Sequence, residues 1–241
     1  MLKIENLTAK IQEEKKEKTI LKNVNIEFEN GKVYAVMGPN GSGKSTLANV
    51  IMGHPAYSLN SNSKIIFNGK SIKNLPPEKR AKLGIFMAFQ NPLSLSGVNI
   101  YQMLKYALSD KKVSIIEIKE LVDKYAKKLK IQEELLERSL NEGFSGGEKK
   151  KMEALQAIIL NPKVAIFDEI DTGVDVDALK LISKFLKEFQ KDKIYIVITH
   201  YNRILKYLKP DKVIVIKQGE VAKIGDKTLA TLIERKGYDI I

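Results

Sequence analysis

The stretch of sequence that decides the fold is Gly38-Pro39-Asn40-Gly41-Ser42-Gly43-Lys44-Ser45-Thr46. It matches the pattern GxxxxGK[ST], follows an apolar run at Val33–Met37, and precedes a segment with helical periodicity. In such a loop the glycines let backbone N–H groups approach phosphate oxygens, and the helix N-terminus behind them adds a partial positive charge. We therefore predict that all nine residues bind the phosphates of ATP, with Lys44 at the outer phosphates and the Ser45 hydroxyl on Mg²⁺.

A pair of carboxylates further along the chain supports this prediction. The apolar run Val164–Phe167 predicts a buried strand, and Asp168 and Glu169 follow at its C-terminal end. Ligands of open α/β sheets bind at the carboxyl ends of the strands. We expect Asp168 to hold Mg²⁺ through water, because that ion keeps much of its hydration shell. Glu169 is then placed to polarise the water that attacks the phosphate.

The other apolar runs predict an α/β fold. Runs typical of strands buried on both faces lie at Ile65–Phe67, Ile85–Phe89, Ile194–Ile198 and Val213–Ile216. Helical stripes alternate with them, as at Ala178, Ile182, Phe185, Leu186 and Phe189. The charged segment Glu13–Lys18 indicates an exposed turn between two strands. Strands that alternate with helices build an α/β sheet.

The middle of the chain has a different pattern, which is nearly all helical from about Asn91 to Asn161. One amphipathic helix there is marked by Ile115, Ile118, Val122, Tyr125 and Leu129. We therefore predict a catalytic α/β core at residues 1–90 and 162–241, which binds the nucleotide. The helical subdomain at residues 91–161 is inserted into this core.

The amino-acid composition excludes several classes of function for this protein. The 241 residues include no cysteine, so disulfides, thiolate metal ligands and thiol nucleophiles are excluded. The net charge of +12 is mostly lysine with glutamates between, and base recognition favours arginine, so we predict a solvated surface and no nucleic-acid partner. No apolar run approaches the ~18–20 residues that span a bilayer, and the first 20 residues lack a secretory stretch. We expect a cytoplasmic protein without direct membrane insertion.

A second glycine-rich string precedes a predicted helix, at Phe144-Ser145-Gly146-Gly147-Glu148. By itself this string is typical of a helix cap. Together with the two motifs above, it resembles the signature motif of the ABC ATPases. The resemblance implies that Ser145, Gly146, Gly147 and Glu148 contact ATP bound to a partner subunit. It also implies that two chains form a transient, ATP-dependent, head-to-tail homodimer.

Further elements of that family follow in order. Gln90, at the end of the strand Ile85–Phe89, resembles the Q-loop glutamine, which implies a role at the metal and the attacking water. His200, which ends a strand predicted at Ile194–Thr199, resembles the switch histidine that contacts the γ-phosphate. The string that resembles the D-loop, which crosses the dimer interface, is Asp171-Thr172-Gly173-Val174-Asp175.

Taken together, the resemblance implies an ATPase with the P-loop NTPase fold of the ABC type and an N-terminal antiparallel β region. The catalytic residues that it implies are Lys44, Gln90, Glu169 and His200. Those implied for the metal are Ser45, Gln90 and Asp168. Many members of the family stack adenine on an aromatic side chain before the phosphate loop. Ile11–Ile20 contains no aromatic residue, so the sequence leaves open whether the nucleotide is ATP or GTP.

Strings that ATP chemistry does not require are similar to the SufC family, the ATPases of Suf iron–sulfur cluster assembly. They are Ile85–Gln90, Gly143–Lys150, Asp175–Leu179 and Thr199–Leu205. This resemblance implies a motor subunit whose partners are SufB–SufD-like scaffold proteins, docked around Ala88–Val98. The alternative is the ATP-binding subunit of an ABC membrane transporter, which shares every catalytic motif. DNA-repair ABC ATPases carry long coiled-coil insertions, for which 241 residues leave no room.

Overall fold

The protein is described by a computed structural model over residues 1–13, 16–200 and 203–241. Its strands are β1 (Leu2–Glu13), β2 (Lys16–Phe28), β3 (Val33–Met37), β4 (Tyr57–Leu59), β5 (Lys64–Phe67), β6 (Lys70–Ser71), β7 (Ile85–Ala88), β8 (Val164–Asp168), β9 (Ile194–Ile198), β10 (Lys212–Lys217) and β11 (Glu220–Gly225). Its helices are α1 (Lys44–Met52), α2 (Pro77–Lys82), α3 (Ile100–Ala107), α4 (Ile115–Leu129), α5 (Glu133–Glu137), α6 (Gly146–Leu160), α7 (Val176–Glu188), α8 (Arg203–Leu208) and α9 (Lys227–Lys236).

Two segments of interest lie partly outside the described residues. The turn predicted at Glu13–Lys18 was too long, because Glu13 ends β1, the residues from Lys16 onward belong to β2, and the two strands pair as far as Glu13 opposite Lys16; Glu14 and Lys15 lie outside the described residues. Tyr201 and Asn202 belong to the string Thr199–Leu205.

The N-terminal part forms an antiparallel sheet, which confirms the predicted N-terminal β region. Its strand order is β2-β1-β5-β6, and β4 also pairs with β1. β1 and β2 pair as a long hairpin that begins with Leu2 opposite Phe28. The sheet forms one wall of a hydrophobic core, because alternate residues of its strands, such as Leu2 and Ile4, are buried.

The second sheet carries the predicted strands and has the order β11-β10-β3-β9-β8-β7. β10, β3, β9, β8 and β7 are mutually parallel, whereas β11 pairs antiparallel with β10. Residues of β3 alternate between two hydrophobic cores. Val33, Ala35 and Met37 belong to the core formed with helices α3 to α9. Tyr34 and Val36 belong to the core formed with α1 and the antiparallel sheet. Both faces are therefore covered, which explains why these strands are apolar without alternation.

Helices α3 to α6 occupy the segment predicted to be helical. Within α4 the residues Ile118, Val122 and Leu129 are buried, as predicted, but Ile115 is 45% exposed. Its assignment to the buried face was wrong, since it lies in the first turn of α4, where Ser114, Ile116 and Glu117 are exposed as well and burial begins only at Ile118. Two strands also end earlier than predicted, β7 at Ala88 and β9 at Ile198.

The helical segment shares its hydrophobic core with the parallel sheet. The cluster that contains Ile118 and Leu155 continues into Phe167 of β8 and Ile182 of α7. No helix in the described part of the chain is both long and apolar enough to cross a membrane.

A buried arginine secures the far end of α1, the helix that begins in the phosphate loop. Arg80 is 2% exposed, and its guanidinium donates to the carbonyl oxygens of Val50 (2.8 Å), Ile51 (2.7 Å), Leu75 (2.8 Å) and Lys73 (2.8 Å). The carbonyls of Val50 and Ile51 lie in the last turn of α1, and the Val50 carbonyl also accepts from the N–H of Gly53 at 3.1 Å. Burial lowers the pKa of Arg80 to about 10, so the side chain stays charged at pH 7.

Arg80→Met should lower the free energy of unfolding by about 3 kcal/mol, because it leaves buried carbonyls without a donor. For a chain of this size the melting temperature should fall by about 6–12 °C. Thermal denaturation followed by circular dichroism measures the change. The matched control is Arg138→Met, which removes a half-exposed guanidinium and should change stability by about 0.5 kcal/mol at most. Equal melting temperatures for the two variants would contradict this account of Arg80.

Candidate functional site

The predicted phosphate loop connects the buried strand β3 to the N-terminus of α1. Gly38 has a φ of +155°, and a Cβ there would lie 2.1 Å from the carbonyl oxygen of Ile216. Gly43 has a φ of +107°, and a Cβ there would lie 2.7 Å from Cδ2 of Leu21. The backbone conformation favours glycine at both positions, and at Gly38 the backbone of Ile216 also leaves no space for a side chain.

Polar groups converge on the inside of this loop. The Lys44 side chain is nearly buried, and its Nζ donates to the carbonyl oxygens of Gly38 and Pro39, each at 2.9 Å. Burial lowers the pKa of Lys44, and the nearby carboxylates of Glu169 and Asp168 act against that shift. The Ser42 hydroxyl is buried without a hydrogen-bond partner among the described residues. A lysine, an unpaired hydroxyl and a helix N-terminus suit an anion such as a phosphate.

The loop opens into a cavity of about 760 Å³. Its lining residues are Lys18, Ile20, Asn40, Gly41, Gly43, Lys44, Ser45, Thr46, Gln90, Glu169, Thr172 and His200. They come from both sheets, because Lys18 and Ile20 belong to β2 and the others follow strands of the parallel sheet. The volume suits a ligand the size of a nucleotide.

Glu169 lies at the centre of a hydrogen-bonded cluster at one side of the cavity. Its Oε2 accepts from Nε2 of Gln90 at 2.7 Å and from Oγ1 of Thr172 at 3.3 Å. Its Oε1 lies 3.1 Å from Nε2 of His200. Three of the predicted catalytic residues, Gln90, Glu169 and His200, are therefore brought together, although 79 positions separate Gln90 from Glu169.

The surroundings of this cluster affect the charge state of His200 and the backbone conformation of Glu169. Burial and the neighbouring Lys44 lower the pKa of His200, so the imidazole is neutral at pH 7 and its Nε2–H donates to Glu169. Glu169 itself has a φ of +50°, a conformation that is uncommon for residues other than glycine. Its backbone N–H donates to the carbonyl oxygen of Ile198, at the end of β9, at 2.9 Å.

Asp168 is the last residue of β8, and it is 3% exposed. Burial raises the pKa of its carboxyl group, and a hydrogen bond with the Ser45 side chain opposes that shift. Its Oδ1 is buried without a hydrogen-bond partner among the described residues. The structure thus brings two of the predicted metal ligands, Ser45 and Asp168, together, and one buried carboxylate oxygen is left unpaired. The third, Gln90, instead has its amide on Glu169.

The signature residues lie at the N-terminus of α6, away from the lining of this cavity. Ser145 is the N-cap, and its side chain and that of Glu148 form a reciprocal capping box, with Ser145 N–H donating to Glu148 at 2.7 Å. That hydrogen bond lowers the pKa of Glu148. Ser145 and Gly146 are exposed, and a Cβ on Gly147 would meet open space.

The predicted D-loop divides into buried and exposed residues. Asp171 is 1% exposed and accepts from Oγ1 of Thr199 at 2.7 Å, and burial raises the pKa of its carboxyl group. Asp175 accepts from the N–H of Ala178 and is the N-cap of α7. Thr172 and Gly173 are exposed, whereas Val174 is buried. Of this string only Thr172 reaches the cavity.

Some residues of the site were not predicted from the sequence. Lys18 and Ile20, on β2 of the other sheet, form a wall of the cavity; they lie in the segment Ile11–Ile20, where the resemblance implies contact with the base, but neither was named as a site residue. The hydrogen bond from Thr172 to Glu169 was also missed, although their separation of three residues after a strand end was a usable signal. In the described residues no three His, Cys, Asp or Glu side chains form a metal-binding group.

Comparisons with known proteins agree with this geometry. A family described as "ABC transporter" matches residues 21–172. The "Probable ATP-dependent transporter ycf16" of Pyropia yezoensis is 44% identical over 249 residues, which cover 100% of this chain and 97% of that protein. "Vegetative protein 296" of Bacillus subtilis is 44% identical over 230 residues, covering 93% and 88% respectively.

Among solved structures, a dimeric ATP-binding cassette in a post-hydrolysis state with ADP and Pi has the same fold. Its TM-score is 0.82, at 23% identity and with 94% of this chain and 98% of that chain covered. The predicted fold class, a P-loop NTPase of the ABC type, is confirmed. Because the family match covers residues 21–172 and the relatives are similar over the full chain, this chain belongs to the ABC transporter family of ATP-binding cassettes and is an ATPase.

Proposed function

We propose that this chain is the ATP-hydrolysing motor subunit of a larger complex and that it works as a transient, head-to-tail homodimer closed by ATP. The observation that carries the proposal is the separation of the two anion-receptive helix N-termini. The N-terminus of α1 lines the cavity, whereas Ser145 and Gly146 at the N-terminus of α6 are exposed elsewhere. A second chain would supply the missing side of the site. The cassette with ADP and Pi, which was solved as a dimer, supports this arrangement.

Within one site we assign the phosphates to the loop Gly38–Thr46. ATP would replace the loop carbonyls as the partner of Lys44, and the free Ser42 hydroxyl would gain an acceptor. Mg²⁺ would be held by Ser45, Gln90 and Asp168, and the unpaired Oδ1 of Asp168 fits a hydrated cation. When bound, the ion would neutralise charge on the phosphates.

Glu169 is then the catalytic base that orients and polarises the attacking water. Its two carboxylate oxygens are held by Gln90 and His200, so its position depends on both. Hydrolysis would be a matter of positioning and charge stabilisation, with little covalent chemistry for the protein. His200 would also contact the γ-phosphate.

In the dimer, Ser145, Gly146, Gly147 and Glu148 of one chain would approach the ATP of the other. The exposed part of the D-loop, Thr172 and Gly173, would lie near the same interface. Gly146 already approaches the D-loop within one chain, since a Cβ on it would lie 3.0 Å from the carbonyl oxygen of Gly173. We also propose that residues 91–161 act as a helical subdomain on the core formed by 1–90 and 162–241.

Two kinds of partner complex are candidates. The printed names of relatives, such as the probable ATP-dependent transporter ycf16, favour the ATP-binding subunit of an ABC membrane transporter. The strings Gly143–Lys150 and Asp175–Leu179, which resemble the SufC family, favour SufB–SufD-like scaffold proteins and iron–sulfur cluster assembly. Between the two, the names of the relatives support the transporter better. Either partner would dock around Ala88–Val98, where Phe89 and Leu93 are exposed, and either is compatible with a cytoplasmic location.

Affinity purification of the tagged chain from its native cells, at low salt and with mild detergent, should recover one partner complex in stoichiometric amount. Mass spectrometry then identifies the partner. A polytopic membrane protein would support the transporter, and a soluble scaffold pair would support the Suf-type complex. The control is the same purification with Leu93→Glu, which should lose the partner if the surface around Ala88–Val98 is the docking site. Recovery of the chain alone in both cases would contradict a motor subunit of a stable complex.

A further inference from the structure

Two charged side chains of α6 are buried against the end of β7. Lys150 is 3% exposed and Glu153 is 4% exposed, and both lie within two turns of the signature residues. Nζ of Lys150 donates to the carbonyl oxygens of Phe89 at 2.7 Å and Gln90 at 2.8 Å. The backbone N–H of Phe89 donates to Oε1 of Glu153 at 2.7 Å, and Nζ of Lys150 lies 3.6 Å from Oε2 of Glu153.

These contacts replace the backbone hydrogen bonds that the β-ladder would provide to the residues after β7. β7 ends at Ala88, so Phe89 and Gln90 have no ladder partner. The N–H and the carbonyl of Phe89 and the carbonyl of Gln90 are instead held by α6 through charge-assisted hydrogen bonds, which are about twice as strong as neutral ones. The backbone that carries the Gln90 side chain is thus fixed to α6, which begins at the signature residues and is called the signature helix below, rather than to the sheet.

This arrangement is costly if its only purpose is stability. Burial raises the pKa of Glu153 to about 7 and lowers the pKa of Lys150, since each charge loses its hydration. Replacing such a pair by apolar residues of similar volume is often neutral or stabilising for folding. The directional hydrogen bonds, in contrast, have a clear use, because the Gln90 amide at the end of this backbone holds Oε2 of Glu169.

We propose that Lys150 and Glu153 are positioning residues that fix Gln90, and through it Glu169, relative to the signature helix. Contact of Ser145–Gly147 with the partner's ATP would then be transmitted along α6 to the catalytic base of the same chain. This inference rests on the proposed function, in which Glu169 is the base and the signature residues act on the second site.

The test is the double variant Lys150→Met/Glu153→Met, which keeps the volume and removes the directional hydrogen bonds. We expect its melting temperature to equal or exceed that of the wild type, because two buried charges are removed and the backbone groups of Phe89 and Gln90, which are exposed residues, can bond to water instead. ATP affinity, measured with a fluorescent analogue, should stay within about twofold, because neither side chain lines the cavity. The kcat for ATP should fall by about 10- to 100-fold, the loss typical of a misplaced catalytic group.

A lysine that contacts the opposite end of α6 from outside that helix provides the matched control. Nζ of Lys111 donates to the carbonyl oxygen of Leu160 at 3.1 Å, so Lys111→Met removes a lysine-to-backbone bond far from Gln90 and should keep the wild-type kcat. A folded double variant with the wild-type kcat would overturn the inference. If the double variant does not fold, Lys150→Met alone is measured in the same way and with the same criterion. Should wild-type hydrolysis survive Glu169→Gln, the proposed function itself would fail, which is a separate outcome.

Discussion

Glu169→Gln should reduce the rate of ATP hydrolysis by about 10²- to 10⁴-fold, the contribution typical of a general base, and should leave ATP binding intact. The amide has the shape of the carboxylate and can still accept from Gln90, but it cannot polarise a water. Glu169 does not belong to the phosphate loop, and Asp168 and Ser45 would keep their metal site. The variant should therefore accumulate as a closed dimer with ATP bound.

Phosphate release at saturating ATP measures the rate, and light scattering with and without ATP measures the dimer. The control is Glu188→Gln, which removes an exposed carboxylate on α7 that pairs with Lys128. It should keep both the wild-type rate and the wild-type mass. Unchanged turnover in Glu169→Gln would rule out the assignment of this residue as the base.

Lys44→Ala should weaken ATP binding by about 10- to 100-fold and abolish ATP-driven dimerisation. Its ammonium group lies at the phosphate loop, and a hydrogen bond to a charged group contributes about 1.5–3 kcal/mol. Since ATP would close the dimer from both sides, loss of the ligand removes the link between the chains. The variant should stay monomeric at ATP concentrations that saturate the wild type.

Isothermal titration with ATP and light scattering check this expectation. Lys64→Ala is the control, because Lys64 is an exposed lysine that pairs with Glu5 on the antiparallel sheet. A dimer that still forms with ATP in Lys44→Ala would contradict the phosphate-loop role. The two variants also differ from each other in a useful way: Glu169→Gln should favour the dimer and Lys44→Ala should prevent it, although both stop hydrolysis.

Local pattern alone was enough to predict much of this molecule. The strand Val33–Met37 has the predicted bounds, and the glycine-rich stretch after it leads into the predicted helix, which begins at Lys44, because both depend on residues adjacent in sequence. Apolar runs without alternation identified strands covered on both faces, and the run Val164–Phe167 predicted correctly that Asp168 and Glu169 lie at a strand end.

The tertiary structure decided which distant residues meet. Strand order sets Gln90, Glu169 and His200 at one edge of the parallel sheet, and it brings Lys18 and Ile20 from the other sheet to the same cavity. Periodicity carries no information on strand order or on the direction of a side chain after a strand ends. The sequence by itself determined the phosphate loop and the strands around it. It did not predict that Lys150 and Glu153 hold the backbone at Phe89 and Gln90. That contact spans about 60 residues and exists only when α6 packs against the end of β7.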